Sequence, residues 1–219
     1  MKKILGFLFC LSTLTNLYGQ LSIKVGYIGS YSKFDGVNQF FDKLNTTSDK
    51  DLIEPFPTQR FLNGLDLGLR YHFADNFALE AGWDLGQSGL ISQRSLNGSG
   101  SEVIDKWKLQ NTSIYAGFLN QFGWIGYGAS FHRNTFSLSN DFTNSRKYKR
   151  IDEANFWSTK IFISVEHKSK HTAFALRPFY NFAFKPYQFD QLETPGGQQQ
   201  NYGEKLNSFG ISLIIYNGK

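Results

Sequence analysis

Charged side chains recur at even spacing in two neighbouring segments of the chain. Asp66 and Arg70 lie four positions apart, and so do Glu80 and Asp84. In an extended strand, residues an even number apart point to the same face. If a three-residue turn at 74–76 joins the segments as a hairpin, Arg70 lies opposite Glu80 and Asp66 lies opposite Asp84. The first pair attracts, whereas the second is a repelling carboxylate pair that requires a bound cation, a neighbouring lysine or a shared proton.

The carboxylate pair admits two interpretations. One is a cation site or gate in a narrow channel, and the other is a structural network in which Lys24 bridges the two acids. Further charges fall on the same face of other predicted strands. The predicted network has five basic and four acidic members: Lys24, Asp66, Arg70, Glu80, Asp84, Lys108, Lys160, Glu166 and Arg177. This near balance of charge favours the structural interpretation.

Ser130 and His132 also share a face, and a hydrolase could use them as nucleophile and base. Such a site needs the histidine within hydrogen-bond reach of the serine and a carboxylate that orients it. The adjoining segment offers Asp141, Asp152 and Glu153. The spacing matches no catalytic signature, and serine and histidine are ordinary strand-end residues, so we predict no enzyme.

The densest basic run of the chain consists of Arg146, Lys147, Lys149 and Arg150. Outside a cell, these cations could contact lipopolysaccharide phosphates through charge-assisted hydrogen bonds. The alternative is a solvated loop that is neutralised by the acidic residues nearby. The pattern alone favours the solvated loop.

The elements that position these residues are predicted to be strands. From Phe77 to Gly86 apolar and polar positions alternate, and this period of two indicates a strand. One face is Phe77, Leu79, Ala81, Trp83 and Leu85, and the other is Ala78, Glu80, Gly82, Asp84 and Gly86. An uncharged face opposite a small or charged one is typical of a membrane barrel with lipid outside and a narrow wet lumen inside.

The same alternation predicts eight strands and therefore an all-β, eight-stranded antiparallel up-and-down transmembrane β-barrel. The strands are predicted at 21–34, 61–73, 77–86, 106–119, 124–136, 156–166, 172–187 and 206–216. Short turns at 74–76, 120–123 and 167–171 alternate with long loops at 35–60, 87–105, 137–155 and 188–205. We expect a helical turn at 37–44 that packs Phe40 or Phe41, a β-bulge at 111–113, and a bulge or pairing gap at Pro178.

Residues 1–20 read as a secretory signal peptide, with Lys2 and Lys3 before a short apolar run. This expectation leaves 21–219 as one barrel domain without cysteine, because Cys10 lies inside the run. Without the two lysines, 23 basic residues become 21 against 18 acidic ones, a formal charge of +3. That charge is too small to indicate nucleic acid as a partner. No phosphate loop, dinucleotide motif or metal-ligand spacing is present, so we predict no cofactor.

A soluble lipocalin-like carrier is the alternative fold, with the same strands turned inside out around an apolar cavity. Its outer surface would then carry a row of glycines, which suit a crowded interior better than an exposed strand. These are Gly26, Gly68, Gly82, Gly86, Gly126, Gly128 and Gly210. The glycines therefore favour the membrane barrel.

The chain resembles the small eight-stranded outer-membrane β-barrels of Gram-negative bacteria, of the OmpA transmembrane domain and OmpX type and including PorT-like barrels. The resemblance rests on the signal peptide, on alternating strands such as Phe77 to Gly86 and Phe209 to Tyr216, and on the alternation of long and short connections. It implies an outer-membrane location, assembly by the outer-membrane insertion machinery, and contact with lipid and lipopolysaccharide.

The resemblance does not imply one activity, because members of the family serve many roles. We expect a packed polar lumen and a structural or interaction role through the extracellular loops, with an envelope protein as a further partner. A narrow channel, a secretion-system component and a lipid-modifying enzyme are the alternatives.

Overall fold

The described residues form eleven strands and one helix. A computed structural model of the chain describes residues 21–47, 52–96, 101–141, 148–190, 192 and 202–217, so the predicted signal peptide lies outside them. In these ranges no helix has the length and hydropathy that a bilayer-spanning helix needs. The elements are β1 (Leu21–Ser32), α1 (Asp35–Thr47), β2 (Leu52–Glu54), β3 (Phe61–Ala74), β4 (Phe77–Leu96), β5 (Ser101–Phe122), β6 (Ile125–Asp141), β7 (Lys149–Lys168), β8 (Thr172–Ala183), β9 (Tyr187–Phe189), β10 (Tyr202–Glu204) and β11 (Ser208–Asn217).

Eight of the strands close into an antiparallel barrel, which confirms the predicted fold class. Each strand pairs with its neighbours in the chain, and β1 pairs with β11 to close the ring. Short β2 pairs with β4 beyond the barrel wall, and β9 pairs with β10 separately. We refer to the end with the short turns as the turn end, and to the opposite end, where α1 lies, as the helix end.

The apolar face of the barrel points outward. Large apolar side chains stand exposed along the outside of the wall, for example Ile23, Val25 and Tyr27 on β1. The alternating residues Ser22 and Lys24 are buried. An outer surface of this composition is stable in lipid and not in water, so the soluble inside-out alternative is wrong.

Aromatic rings flank this apolar belt at both ends. Towards the helix end, Tyr31 lies between Phe61 and Phe209, with ring centroids 5.1 and 5.0 Å away. At the turn end, the rings of Phe73 and Phe77 lie 6.0 Å apart. Aromatic residues occupy such positions at the two membrane interfaces of outer-membrane barrels.

The wall is much taller on one side than on the other. The strands β1, β8 and β11 have 12, 12 and 10 residues, close to the length that spans a bilayer. In contrast, β4, β5, β6 and β7 have 20, 22, 17 and 20 residues and continue beyond the belt at the helix end. The loops predicted at 87–105 and 137–155 are therefore wrong over most of their length, because 87–96, 101–105, 137–141 and 149–155 are strand.

Helix α1 fills the barrel mouth at the helix end. Its residues Val37, Phe40 and Phe41 are buried, at the i, i+3 and i+4 spacing of one helix face. The predicted helical turn at 37–44 is confirmed, and both phenylalanines pack rather than one of them. The prediction of a polar lumen is wrong for this end, because its interior is apolar.

Two local predictions in the wall have opposite outcomes. The bulge predicted at 111–113 is wrong, since β5 pairs without a register shift with both β4 and β6. The pairing gap predicted at Pro178 is confirmed, because β7 and β8 keep one register but Ile163 and Ser164 have no pairing partner there. Proline lacks the N–H that this ladder would need.

Candidate functional site

The turn half of the lumen holds a network of charged side chains that are buried, except for the partly exposed Lys160. We name it the charge layer, and its members are Lys24, Asp66, Arg70, Glu80, Asp84, Lys160, Glu166 and Arg177. These are eight of the nine residues that the sequence predicts, and they comprise four cations and four anions. The formal charge of the layer is therefore zero.

Glu80 is the centre of the charge layer. Its carboxylate accepts two hydrogen bonds from the Arg177 guanidinium, at 2.7 and 2.8 Å, and one from Arg70 Nε at 2.7 Å. Tyr216 donates its hydroxyl to the same carboxylate at 3.2 Å, and Lys24 Nζ lies 3.5 Å away. A fully buried carboxylate is stable only with such compensation.

The two arginines are held from other sides as well. Arg70 donates to both oxygens of Glu166, at 3.0 and 2.5 Å, and its guanidinium lies 3.6 Å from the centre of the Tyr216 ring. Arg177 Nε donates to Ser164 Oγ at 3.1 Å. These contacts fix both guanidinium planes, so the layer is rigid as well as neutral.

The carboxylate pair predicted from the sequence is present, and each acid has its own lysine. The register places Asp66 opposite Asp84 and Arg70 opposite Glu80, as predicted. Lys24 Nζ lies 2.6 Å from Asp66, and Lys160 Nζ lies 2.7 Å from Asp84. The two lysines thus neutralise the repelling carboxylates without a bound cation, which favours the structural interpretation over a cation site.

Lys108 does not belong to the network, and its prediction is wrong. It pairs with Gly89 and Ser139 on the outside of the wall, while its neighbours Trp107 and Leu109 are buried inside. The wrong assignment followed from the predicted bulge, which would have exchanged the two faces of β5. Without a bulge, the odd residues of β5 point inward along the whole strand.

Ser130 and His132 form the contact that the hydrolase alternative needs, but in a closed interior. Ser130 Oγ lies 2.7 Å from His132 Nε2, and Nδ1 of the same ring lies 3.1 Å from Ser113 Oγ and 3.6 Å from Asp84 Oδ2. The cavity beside them has a volume of about 20 Å³, which holds a water molecule and no substrate.

The acids that the sequence offered to this histidine lie elsewhere. Asp152 pairs with Leu138, six positions along β6 from His132, which is about 20 Å at the rise of a strand. Asp141 ends β6, still further away. The acids that the sequence offers therefore do not orient this histidine.

A second layer closes the lumen at the helix end. We name it the aromatic layer, and its buried rings are Phe34, Phe40, Phe41, Phe56, Trp107, Phe136, Phe156, Tyr187, Phe189 and Tyr202. Phe41 has ring contacts to Phe56 at 4.9 Å and to Trp107 at 5.5 Å. Trp107 comes from β5 and Phe136 from β6, so the barrel wall itself contributes to this layer.

A hydrogen-bonded pair fastens the start of α1 to this layer. The backbone N–H of Asp35 donates to Glu204 Oε2 at 2.9 Å, and the Tyr187 hydroxyl donates to Glu204 Oε1 at 2.9 Å. Burial raises the pKa of Tyr187 and also the pKa of Glu204. The tyrosine therefore keeps its proton over the physiological pH range and remains a donor.

The predicted basic run lies partly outside the described residues. Arg146 and Lys147 fall in the segment 142–147, which is not among the described residues. Lys149 and Arg150 are exposed at the start of β7, beside Tyr148, and Arg150 forms an ion pair with Glu153. At least two cations of the run therefore stand at the rim of the tall wall.

Sequence reasoning missed the two tyrosines that complete the charge layer. Tyr115 donates to Asp66 at 2.7 Å and accepts from Lys24 at 2.8 Å, and Tyr216 bonds Glu80. The signal for Tyr115 was its shared parity with Trp107 and Leu109, which the predicted bulge obscured. The signal for Tyr216 was its parity within β11, opposite to the exposed Leu213 and Ile215.

Comparison with known proteins finds similarity in fold alone. No family model and no curated protein matches the sequence. Among solved structures, the attachment invasion locus protein Ail of Yersinia pestis, in complex with the heparin analogue sucrose octasulfate, matches with a TM-score of 0.51 and 11% identity over 91% of this chain and 97% of that one.

Two further structures match less closely. Neisserial surface protein A has a TM-score of 0.49 and 6% identity, over 91% of this chain and 97% of that one. The outer membrane protein OprG of Pseudomonas aeruginosa has a TM-score of 0.45 and 11% identity, over 92% and 97%. The closed eight-stranded ring, the lipid-facing belt and the match in fold to Ail all indicate the same kind of protein. The chain is a membrane β-barrel with the fold of the small outer-membrane barrels of Gram-negative bacteria, and the outer membrane is the location that its sequence predicts.

Proposed function

We propose that the protein is an outer-membrane interaction protein whose binding surface is the helix end, with a lumen that serves stability and not transport. In outer-membrane barrels the short turns face the periplasm and the long connections face the outside. On that orientation the helix end is extracellular. The single observation that carries the proposal is the tall wall of β4 to β7, which continues well past the belt.

The size of this extension supports a role outside the membrane. On β7, the belt ends near Trp157 and the strand begins at Lys149, a difference of about 25 Å along the strand. The interior of the extension is filled by the aromatic layer, so the outer surface and rim of the wall are what remains for a partner.

The filled lumen argues against a channel. An ion would have to cross both layers, and the charge layer leaves a cavity of only about 20 Å³. A lumen of eight strands is generally filled by side chains. Of the alternatives left by the sequence, the narrow channel is therefore the one that the geometry supports least.

The basic rim suggests the chemistry of the partner, an anionic sugar or the phosphates of lipopolysaccharide. Lys149 and Arg150 are exposed at the start of β7, and cations of this kind bind phosphate or sulfate through charge-assisted hydrogen bonds. The structure of Ail in the comparison holds a sulfated sugar, which fits the same chemistry on the same fold.

Removal of the two rim cations tests this proposal. We expect the double substitution Lys149→Ala and Arg150→Ala to weaken binding of sucrose octasulfate by roughly three- to tenfold, because exposed ion pairs contribute up to about 1 kcal/mol each. Titration calorimetry of the refolded full chain in detergent, at low and at physiological salt, measures the effect.

The matched control is the double substitution Lys185→Ala and Lys205→Ala, which removes the same charge from other exposed positions. Equal weakening in both double variants would show that net charge alone attracts the anion and would contradict a site at the start of β7.

A further inference from the structure

A polar cavity opens at the turn end of the barrel, at the opposite end from the binding surface proposed above. Its volume is about 460 Å³, the space of roughly fifteen water molecules at ~30 Å³ each. Arg70 and Tyr216 line its buried end, where they are 2% and 1% exposed. The turn between β3 and β4 and the turn between β7 and β8 supply exposed lining residues. The cavity is therefore accessible from the water at this end.

Two strands continue the inner face of the wall into this cavity. His72 lies two positions beyond Arg70 on β3, and Lys168 lies two positions beyond Glu166 on β7. Residues two apart on a strand share a face, so both side chains extend the lumen side past the charge layer. Both line the cavity, where Lys168 is exposed and His72 is partly exposed. A ligand can therefore reach them without entering the charge layer.

Two lysines give the cavity its free positive charge. Arg70 is neutralised inside the charge layer, where it bonds two carboxylates. Lys168 and Lys170 are exposed, and neither forms a hydrogen bond or an ion pair with a residue that the structure describes. Asp75, the one acid among the described lining residues, lies in the other turn. Two ammonium groups thus face one carboxylate, and an anion bound between the lysines removes their mutual repulsion.

Neutral donors surround the two ammonium groups. The backbone N–H of Ser169 donates to the carbonyl of Thr172 at 2.8 Å and closes the turn between β7 and β8. The hydroxyl-bearing residues Ser169 and Thr172 also line the cavity, together with Lys170 and His72. Lysine binds phosphate as a compact charge, and uncharged donors bond the remaining oxygens. A phosphate monoester offers three such oxygens and a carboxylate two, so this donor set suits phosphate.

We propose that the turn-end cavity binds a phosphate group that carries a small organic part, such as glycerol. The ammonium groups of Lys168 and Lys170 bind the phosphate oxygens, and the rest of the volume accepts the organic part. The proposal concerns the end opposite to the helix end and does not rest on the function proposed above.

Two sources offer this chemistry at the turn end. One is a soluble phosphate ester, and the other is the headgroup of a phospholipid in the adjacent leaflet. Phe73 lines the cavity and also belongs to the aromatic residues at the membrane interface. Lipid headgroups therefore lie at the height of the cavity.

Phosphorus NMR titration with glycerol phosphate tests the proposal on the refolded full chain in octyl glucoside, a detergent without phosphate. We expect a saturable change of the phosphorus resonance. The double substitution Lys168→Gln and Lys170→Gln removes both charges from exposed positions and should raise the dissociation constant by about tenfold. Asp75→Asn removes the opposing acid and should lower it by about two- to threefold, a gain that a folding defect does not produce.

The matched control is the double substitution Lys185→Gln and Lys205→Gln, which removes the same charge from exposed positions at the helix end. It should bind glycerol phosphate as the natural chain does. Native mass spectrometry with phosphatidylglycerol separates the two sources. Retention of this lipid that is lost only in the double variant at Lys168 and Lys170 identifies the headgroup, whereas binding of glycerol phosphate without such retention identifies a soluble ester.

Three outcomes would overturn the proposal. The first is no saturable binding of either compound, and the second is an equal dissociation constant in the two double variants. The third is weaker binding of glycerol phosphate by Asp75→Asn than by the natural chain.

Discussion

Glu80→Gln is expected to lower the free energy of unfolding by about 3–5 kcal/mol, because it leaves buried cations without their shared anion. Arg70, Arg177 and Lys24 all lie within 3.5 Å of the Glu80 carboxylate. Glutamine has nearly the same volume, so the loss reports charge and not packing. Urea titration of the refolded barrel, followed by the heat-modifiable shift in gel migration, measures it.

Asp75→Asn is the control for this prediction, since Asp75 is an exposed acid in a turn at the turn end. We expect it to change the free energy of unfolding by less than about 0.5 kcal/mol. A Glu80→Gln variant as stable as the natural chain would mean that the charge layer is not what holds the turn half of the lumen together.

Phe41→Ala is expected to cost about 3–5 kcal/mol, the range for a large aromatic removed from a packed core. The Phe41 ring is 1% exposed and packs against Phe40, Phe56 and Trp107 at 4.9–5.5 Å. Because α1 contributes this ring, the substitution should also release the helix from the barrel mouth. Limited proteolysis, with cleavage mapped within 35–47, and urea unfolding together measure both effects.

Tyr148→Ala provides the comparison for this second prediction, because Tyr148 is an aromatic residue that is 44% exposed at the same end. Its loss should cost less than about 1 kcal/mol and leave α1 protected. If Phe41→Ala and Tyr148→Ala behaved alike, α1 would be a surface helix and not a part of the closed lumen.

Parity along each strand made the membrane half of the fold predictable. The alternation from Phe77 to Gly86 assigns the lipid face and the lumen face residue by residue, and a register counted from the turn at 74–76 gives the Arg70–Glu80 and Asp66–Asp84 pairs. The register shifts by one only at the turn itself, between His72 and Ala74. Lipid on one side and charge on the other leave no ambiguity in this region.

The half of the barrel at the helix end was not predictable in the same way, for a physical reason. Above the belt the outer face meets water and the inner face is apolar, so the hydrophobic sense of the two faces is exchanged. Trp107 and Leu109 point inward there, whereas Ile114 and Phe118 on the same strand point to lipid. If the lipid-facing side is assumed to be the apolar side along the whole strand, the exchange is misinterpreted as a β-bulge. Lys108 is then wrongly placed in the lumen.

The candidate binding features depend on contacts between distant segments. A small cavity between the end of α1 and the wall requires α1, β2, β4, β5 and β6 to meet at one rim, and the unsatisfied amide of Asn140 is visible only once its neighbours are in place. Parity could have assigned Asn140 to the inner face of β6, in line with Phe136 and Leu138. It could not have shown the amide without a partner.

Planar-bilayer recording of the refolded full chain tests the central claim most directly, namely that both layers close the lumen and that the protein acts through its extracellular end. We expect no steady conductance above that of a detergent control without protein. Reproducible single-channel steps, with an ion selectivity that changes in Asp84→Asn, would contradict the closed lumen and favour a narrow channel.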